Sequence, residues 1–285
     1  MFVTRFFRLL PLVVLVAVVM PAAVLSAQDS IIAMPSRGLC AHRGAMETHP
    51  ENTLPSLQEA IVLGAQMIKF DVQLTRDSVL VLMHDKSVDR TTNGKGNVAD
   101  LVFSDIRKLD AGIRKHSRFA GTRVPSFAEA LAIMPRNVWL NCHLKGGAGV
   151  GAAAALMLQQ SGRMHQAFIT CSEEAALGAR KAVPGIMICN GENRYRTDGP
   201  AYTAATIAMK AQFIQFLPPQ KAEDRPALIR SLKQAGIHIN YYHALAPGEL
   251  AALFDSGVEF VLVNDLARFQ EAARQKGIIP VRPQF

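Results

Sequence analysis

Eight short runs rich in Val, Ile and Phe alternate with stretches of helical spacing, and this alternation limits the fold more than any other feature of the 285-residue chain. The runs fall at 38–42, 67–73, 138–144, 167–171, 186–189, 213–217, 237–241 and 259–263. Helical periodicity occupies 54–63, 149–160, 173–182, 201–208, 225–235 and 248–255, and Gly64, Gly162, Gly236 and Gly257 stand where helix C-terminal glycines are expected. Eight such units in about 250 residues predict a (β/α)₈ barrel. A doubly wound open sheet is the alternative, but it needs fewer strands and a Gly-rich nucleotide turn, and neither is present. A ninth run at 79–83 follows the turn residues Arg76, Asp77 and Ser78 and reads as the return arm of a hairpin. Residues 85–125 carry the loop-like stretch Thr91-Thr92-Asn93-Gly94-Lys95-Gly96-Asn97 and read as a small insertion over one barrel mouth.

Residues 1–27 are set apart from the domain at 28–285. Arg5 and Arg8 precede an apolar run that ends in small residues near Ser26 and Ala27, the layout of a secretory signal peptide, with an uncleaved anchor as the alternative. The expected location is therefore periplasmic or extracellular, with no stable membrane insertion after cleavage. The net charge is +8, and losing the two leader arginines would leave +6. A basic exported protein suits anionic substrates, but no dense Lys/Arg run with interleaved aromatics points to nucleic acid. Cys40, Cys142, Cys171 and Cys189 lie inside apolar runs without CxxC spacing, so they read as buried thiols; a Cys171–Cys189 disulfide is the alternative.

In a barrel, side chains that do chemistry stand where strands end. The first strand ends in Cys40-Ala41-His42-Arg43-Gly44, the second in Lys69-Phe70-Asp71, the hairpin in Met83-His84-Asp85, and the next strand in Asn141-Cys142-His143-Leu144-Lys145. Strand alternation puts Lys69 with Asp71 on one face, and Asn141, His143 and Lys145 on another. Polar residues at every second position of a strand buried on both sides are costly in a plain core. Their convergence reads as a site, with a polar packing layer as the bland alternative. Asn190, Glu192 and Arg194 follow a later strand and are candidate pocket residues. Tyr241, with Tyr242 and His243, is a candidate for stacking on a sugar or glycerol moiety, or else rim packing. Glu51 is expected to sit at the start of the first helix, where a carboxylate suits the N-terminal dipole.

His42-Arg43-Gly44, Pro50-Glu51-Asn52-Thr53, Gly64-Ala65, Phe70 to Asp77, His84-Asp85 and Arg90-Thr91-Thr92 resemble, in order and spacing, the glycerophosphodiester phosphodiesterase family. Lys145 and Asn264-Asp265 extend the likeness more thinly. The resemblance implies that His42 and His84 act as general acid and base, that Arg43 grips phosphate oxygens and that Lys145 neutralises developing charge. It also implies a calcium or magnesium ion held by a Glu-x-Asp pair and a later glutamate. Here those positions read Lys69-Phe70-Asp71 and His143, so one of the three carboxylates remains. Three carboxylates around a dication leave one negative charge; Lys69, Asp71 and a neutral His143 without an ion leave none. The expectation is a site without a cofactor, in which Lys69 takes the ion's place. The alternative is a divalent cation on Asp71 and Glu51. A small-molecule phosphodiester is the expected substrate, with Arg43, Lys69, Lys145, His143, Asn141 and Tyr241 as its contacts. Two other functions stay open: an anionic-ligand-binding protein without catalysis, and altered chemistry on a glycan or another diester.

Overall fold

The computed structural model describes residue 2, residues 32–218 and residues 222–285; the leader expected at 1–27 lies outside the described residues apart from residue 2. Eight parallel strands close a barrel: β1 (Gly38–His42), β2 (Met67–Leu74), β4 (Trp139–Leu144), β5 (Ala167–Cys171), β6 (Met187–Asn190), β7 (Phe213–Phe216), β8 (His238–Tyr241) and β9 (Phe260–Val263). The ring is closed by β1, which pairs with β2 on one side and with β9 on the other. A short strand, β3 (Leu80–Leu82), runs antiparallel to β2 with Val72 opposite Leu82, as the expected hairpin return. Helices α1 (Leu54–Val62), α4 (Ala148–Gln160), α5 (Glu173–Ala182), α6 (Gly199–Ala208), α7 (Arg225–Gln234), α8 (Glu249–Asp255) and α9 (Leu266–Gln275) follow the strands, with α2 (Phe103–Ile106) and α3 (Phe127–Ile133) between β3 and β4. Among the described residues no helix is long and apolar enough to cross a membrane.

Period-two alternation sorts the strand residues into two cores. Ile68, Phe70, Leu140, Ile169, Ile188, Ile214, Ile239 and Val261 face outward and pack against the helices. Cys40, Met67, Phe168, Cys189, Phe213, Phe260 and Leu262 fill the barrel, closed by Trp139 and Met187. The Phe168 and Phe213 rings stack with centroids 4.0 Å apart. This plug closes the lower barrel and leaves polar side chains to the strands' C-terminal ends. All four cysteines are buried free thiols.

The segment after β3 has its own small core of Val81, Met83, Val88, Val98, Ile106, Ala111 and Val124. It packs onto the loop after β1: Lys115 Nζ donates to the carbonyls of Met46 and Glu47, and Arg118 to that of Thr48.

Candidate active site

The first βα turn sets the geometry. Arg43 has φ +55° and Gly44 φ +79°, both left-handed. A Cβ on Gly44 would collide with Ser56, so this position needs glycine. The Arg43 carbonyl accepts from Ser56 Oγ (2.8 Å) and from the Asn52 amide (3.0 Å), which pins the loop. A non-glycine residue held at positive φ by surrounding contacts is strain of the kind found at functional sites.

Asp71 is the hub of the mouth and is fully buried. Lys69 Nζ donates to its Oδ1 at 2.6 Å. Lys145 Nζ stands 3.3 Å and His143 Nδ1 3.4 Å from the same oxygen. Asn52 grips the residue twice: its Nδ2 donates to Oδ2 (3.1 Å) and its Oδ1 accepts from the Asp71 amide (3.0 Å). Arg43 Nε lies 3.5 Å from Oδ2. Against the effect of burial, which raises it, the charges of Lys69 and Lys145 hold the Asp71 carboxyl well below its usual range. Burial pulls Lys69 down to about 8 although Asp71 opposes the shift, and burial together with the Lys69 charge keeps His143 neutral.

His42 Nδ1 donates to Asn264 Oδ1 (2.6 Å), across 222 positions of sequence. That tautomer leaves Nε2 with its lone pair. Burial, followed by the Lys69 charge, lowers His42 to about 3. His84 Nδ1 donates to Asp85 Oδ1 (2.7 Å) and the ring is more exposed. Burial lowers it too, opposed by Asp71 and Asp85. Gln73 on β2 fixes the hairpin end by donating to the carbonyls of Met83 and Asp85.

Glu51 does not cap a helix: α1 begins at Leu54, behind an extended Thr53. Its carboxylate instead accepts from Arg43 Nη1 (2.8 Å) and from both terminal nitrogens of Arg90 (2.8 and 2.9 Å). Arg90 also grips Asp85, through Nε at 2.6 Å. A continuous ionic chain therefore runs from His84 through Asp85, Arg90, Glu51 and Arg43 to Asp71. Among the described residues no three of His, Cys, Asp and Glu gather as a metal site. Asp71 meets an ammonium where a hard cation would need further oxygens, and Glu51 is saturated by arginines, so this donor set does not fit calcium or magnesium.

Tyr241 is a correction. Alternation turns Asn240 into the barrel and Tyr241 outward, where it is buried beside Phe216 and under the Arg225 guanidinium. Tyr242 is the aromatic at the mouth, its ring edge-on to His42 with centroids 5.9 Å apart. Asn141 is fully buried within the barrel, its Oδ1 accepting from Thr170 Oγ1 (2.7 Å) and its Nδ2 without a partner. Asn190 faces α6, donating to Thr206, and Arg194 pairs with Glu173. Asn52, Asn264, Arg90 and Arg196 were not assigned roles from the sequence. The family-like motifs contain Asn52, Asn264 and Arg90, whereas nothing in the sequence marks Arg196.

A model of the glycerophosphoryl diester phosphodiesterase family matches residues 42–268. The glycerophosphodiester phosphodiesterase of Caldanaerobacter subterraneus is 45% identical over 108 residues, covering 38% of this chain and 44% of that protein. Glycerophosphodiester phosphodiesterase 1 of Mus musculus is 40% identical over 117 residues, covering 40% of this chain and 35% of that protein. The matched part thus spans less than half the length of these curated relatives. A glycerophosphodiester phosphodiesterase structure from Agrobacterium tumefaciens superposes with TM-score 0.73 at 27% identity, over 82% of this chain and 99% of that one. A phosphodiesterase from Oleispira antarctica, solved with the product sn-glycerol-3-phosphate, shares the fold at TM-score 0.73 and 22% identity, over 82% and 96% of the two chains.

Proposed function

This chain belongs to the glycerophosphoryl diester phosphodiesterase family, and from that premise we propose that it hydrolyses glycerophosphodiester-like substrates by histidine acid/base catalysis without a metal ion. Water adds to phosphorus, the bond to the alcohol breaks, and a phosphomonoester and a free alcohol leave. His42, neutral and oriented by Asn264, takes the proton of the attacking water. His84, more exposed and resting on Asp85, returns a proton to the departing alkoxide. Arg43, Lys145 and Lys69 stabilise charge on the phosphoryl oxygens. An arriving phosphate anion raises both histidines and Lys69 toward their protonated forms.

The observation that carries the reading is the Lys69–Asp71 pair between the two histidine arms. It supplies a buried positive charge at a position where the family resemblance implies an ion. The test is turnover of glycerophosphocholine and a chromogenic phosphodiester with calcium, with magnesium and with EDTA. Activity that resists EDTA and is lost in Lys69→Ala supports the proposal, as does a fall of about 10²–10⁴-fold in His42→Ala. Activity that needs added metal overturns the metal-free mechanism. Inactivity under every condition overturns catalysis and leaves an anionic-ligand-binding protein.

A further inference from the structure

Three carboxylates belong to the mouth, and each is already answered. Asp71 meets Lys69, Lys145 and Arg43, while Glu51 and Asp85 share Arg90. Arg196 adds a fifth cation and has no acidic partner among the described residues. It follows β6, which stands four strands from β1 in the eight-strand ring, so it reaches the mouth from across the barrel. Its guanidinium lies 5.9 Å from the centroid of the Tyr242 ring, the ring that meets His42 edge-on. Its charge is felt at both His143 and Lys145. Among the described residues its side chain makes no ion pair, and its buried Nε has no hydrogen-bond partner. The two acids of its own loop are engaged elsewhere: Glu192 accepts from the Glu173 amide, and Asp198 caps α6 by accepting from the Ala201 amide.

Among the described residues, five cations against three carboxylates leave the mouth with two uncompensated positive charges when the histidines are neutral. A simple phosphodiester brings one negative charge. We propose that Arg196 is a second anion-binding residue across the mouth from Arg43, and that the preferred substrates are phosphodiesters whose alcohol side carries a further anionic group. This inference rests on the hydrolase reading for its substrate but concerns recognition at the opposite rim. Arg43 and the lysines take the scissile phosphate; Arg196, braced on Tyr242, takes the second anion one alcohol unit away. A guanidinium suits this because its paired donors match carboxylate or phosphate oxygens.

The experiment compares kcat/KM for glycerophosphocholine, glycerophosphoglycerol and bis(glycerophospho)glycerol, which carry net charges of zero, minus one and minus two. After the twofold statistical factor for its two glycerol-terminal sites, the last should exceed glycerophosphoglycerol by about tenfold, the scale of one charge-assisted hydrogen bond. Arg196→Gln should abolish that ratio and Arg196→Lys should restore part of it. Arg194→Gln, which alters an exposed arginine paired with Glu173, should leave the ratio unchanged. Equilibrium binding of the same compounds to the His42→Ala chain separates the two readings. Turnover without a dianion preference overturns this inference and spares the hydrolase. Dianion-selective, Arg196-dependent binding without turnover in the wild-type chain does the reverse. Binding that is indifferent to charge overturns the inference whether or not turnover occurs.

Discussion

Lys69 Nζ and Asp71 Oδ1 stand 2.6 Å apart with both side chains shut away from solvent. Two charges removed from water together hold one another; removing Lys69 leaves the buried Asp71 carboxylate only its longer contacts with Lys145 and Arg43. Lys69→Met should therefore cost about 3–5 kcal/mol in urea unfolding, the usual range for breaking a buried pair. The Lys69→Met, Asp71→Asn double variant should recover a large part of that loss, because it removes both charges. Equal instability in single and double variants would show that the ion pair is not what Lys69 contributes.

The same position decides metal affinity. Lys69→Glu with His143→Glu surrounds Asp71 with the carboxylate oxygens that a hard cation needs. Calcium titrated calorimetrically into the double variant should give saturable binding, and the parent chain should give none. Comparable binding by the parent would mean that the ammonium does not exclude the ion.

Lys69 also sets an expectation for alkaline pH. Burial lowers it to about 8, so its charge is complete well below that value and is lost as pH rises through it. The kcat/KM profile, which reports the free enzyme, should fall on the alkaline side with a midpoint near 8. In Lys69→Arg, whose guanidinium stays charged, whatever activity survives should keep its plateau to higher pH. An unchanged alkaline limb would assign it to another group.

On the acid side the sign reverses its origin. His42 is lowered to about 3 by burial and the Lys69 charge, and His143 is lowered as well. The unfolded chain takes up these protons below about pH 6.5 while the folded chain refuses them, so stability is full above that value and declines as pH falls toward 3. Between pH 6.5 and 4.5, above the range where Asp71 matters, each group contributes at most about 1.4 kcal/mol per pH unit. His42→Asn and His143→Gln should each make the slope of unfolding free energy against pH shallower. Parallel slopes would mean that these rings are protonated in the folded protein.

The barrel and half of the mouth were legible because alternation is a local signal. Polar Lys69, Asp71, Asn141 and His143 interrupt apolar strands at every second position, and the structure brings three of them together at the mouth. The same parity, applied to β8, turns Tyr241 outward beside Ile239, although its place at the strand end suggests the mouth. Contacts that join distant segments left no local trace. The Asn264 partner of His42 lies 222 positions away, and Glu51 meets an arginine from the insertion rather than a helix terminus. Arg196 sits in a loop where a solvated arginine and a ligand-facing one look identical in sequence.

Arg90 is the residue on which the two arms of the mouth depend together. Its side chain is about half exposed, which by itself marks a surface ion pair of little consequence. It makes four hydrogen bonds, two to Glu51 and two to Asp85, and through them orients both Arg43 and His84. Arg90→Ala should therefore leave stability within about 1 kcal/mol while lowering kcat by about a hundredfold, the cost of a small misplacement of a reacting group. Because His84 loses the neighbour that fixes Asp85, the pH dependence of kcat should shift as well, and Arg90→Lys should rescue little, since one ammonium cannot hold two carboxylates in a planar fork. A loss confined to melting temperature, with kcat and its pH profile intact, would reduce Arg90 to a structural tie between the insertion and the barrel.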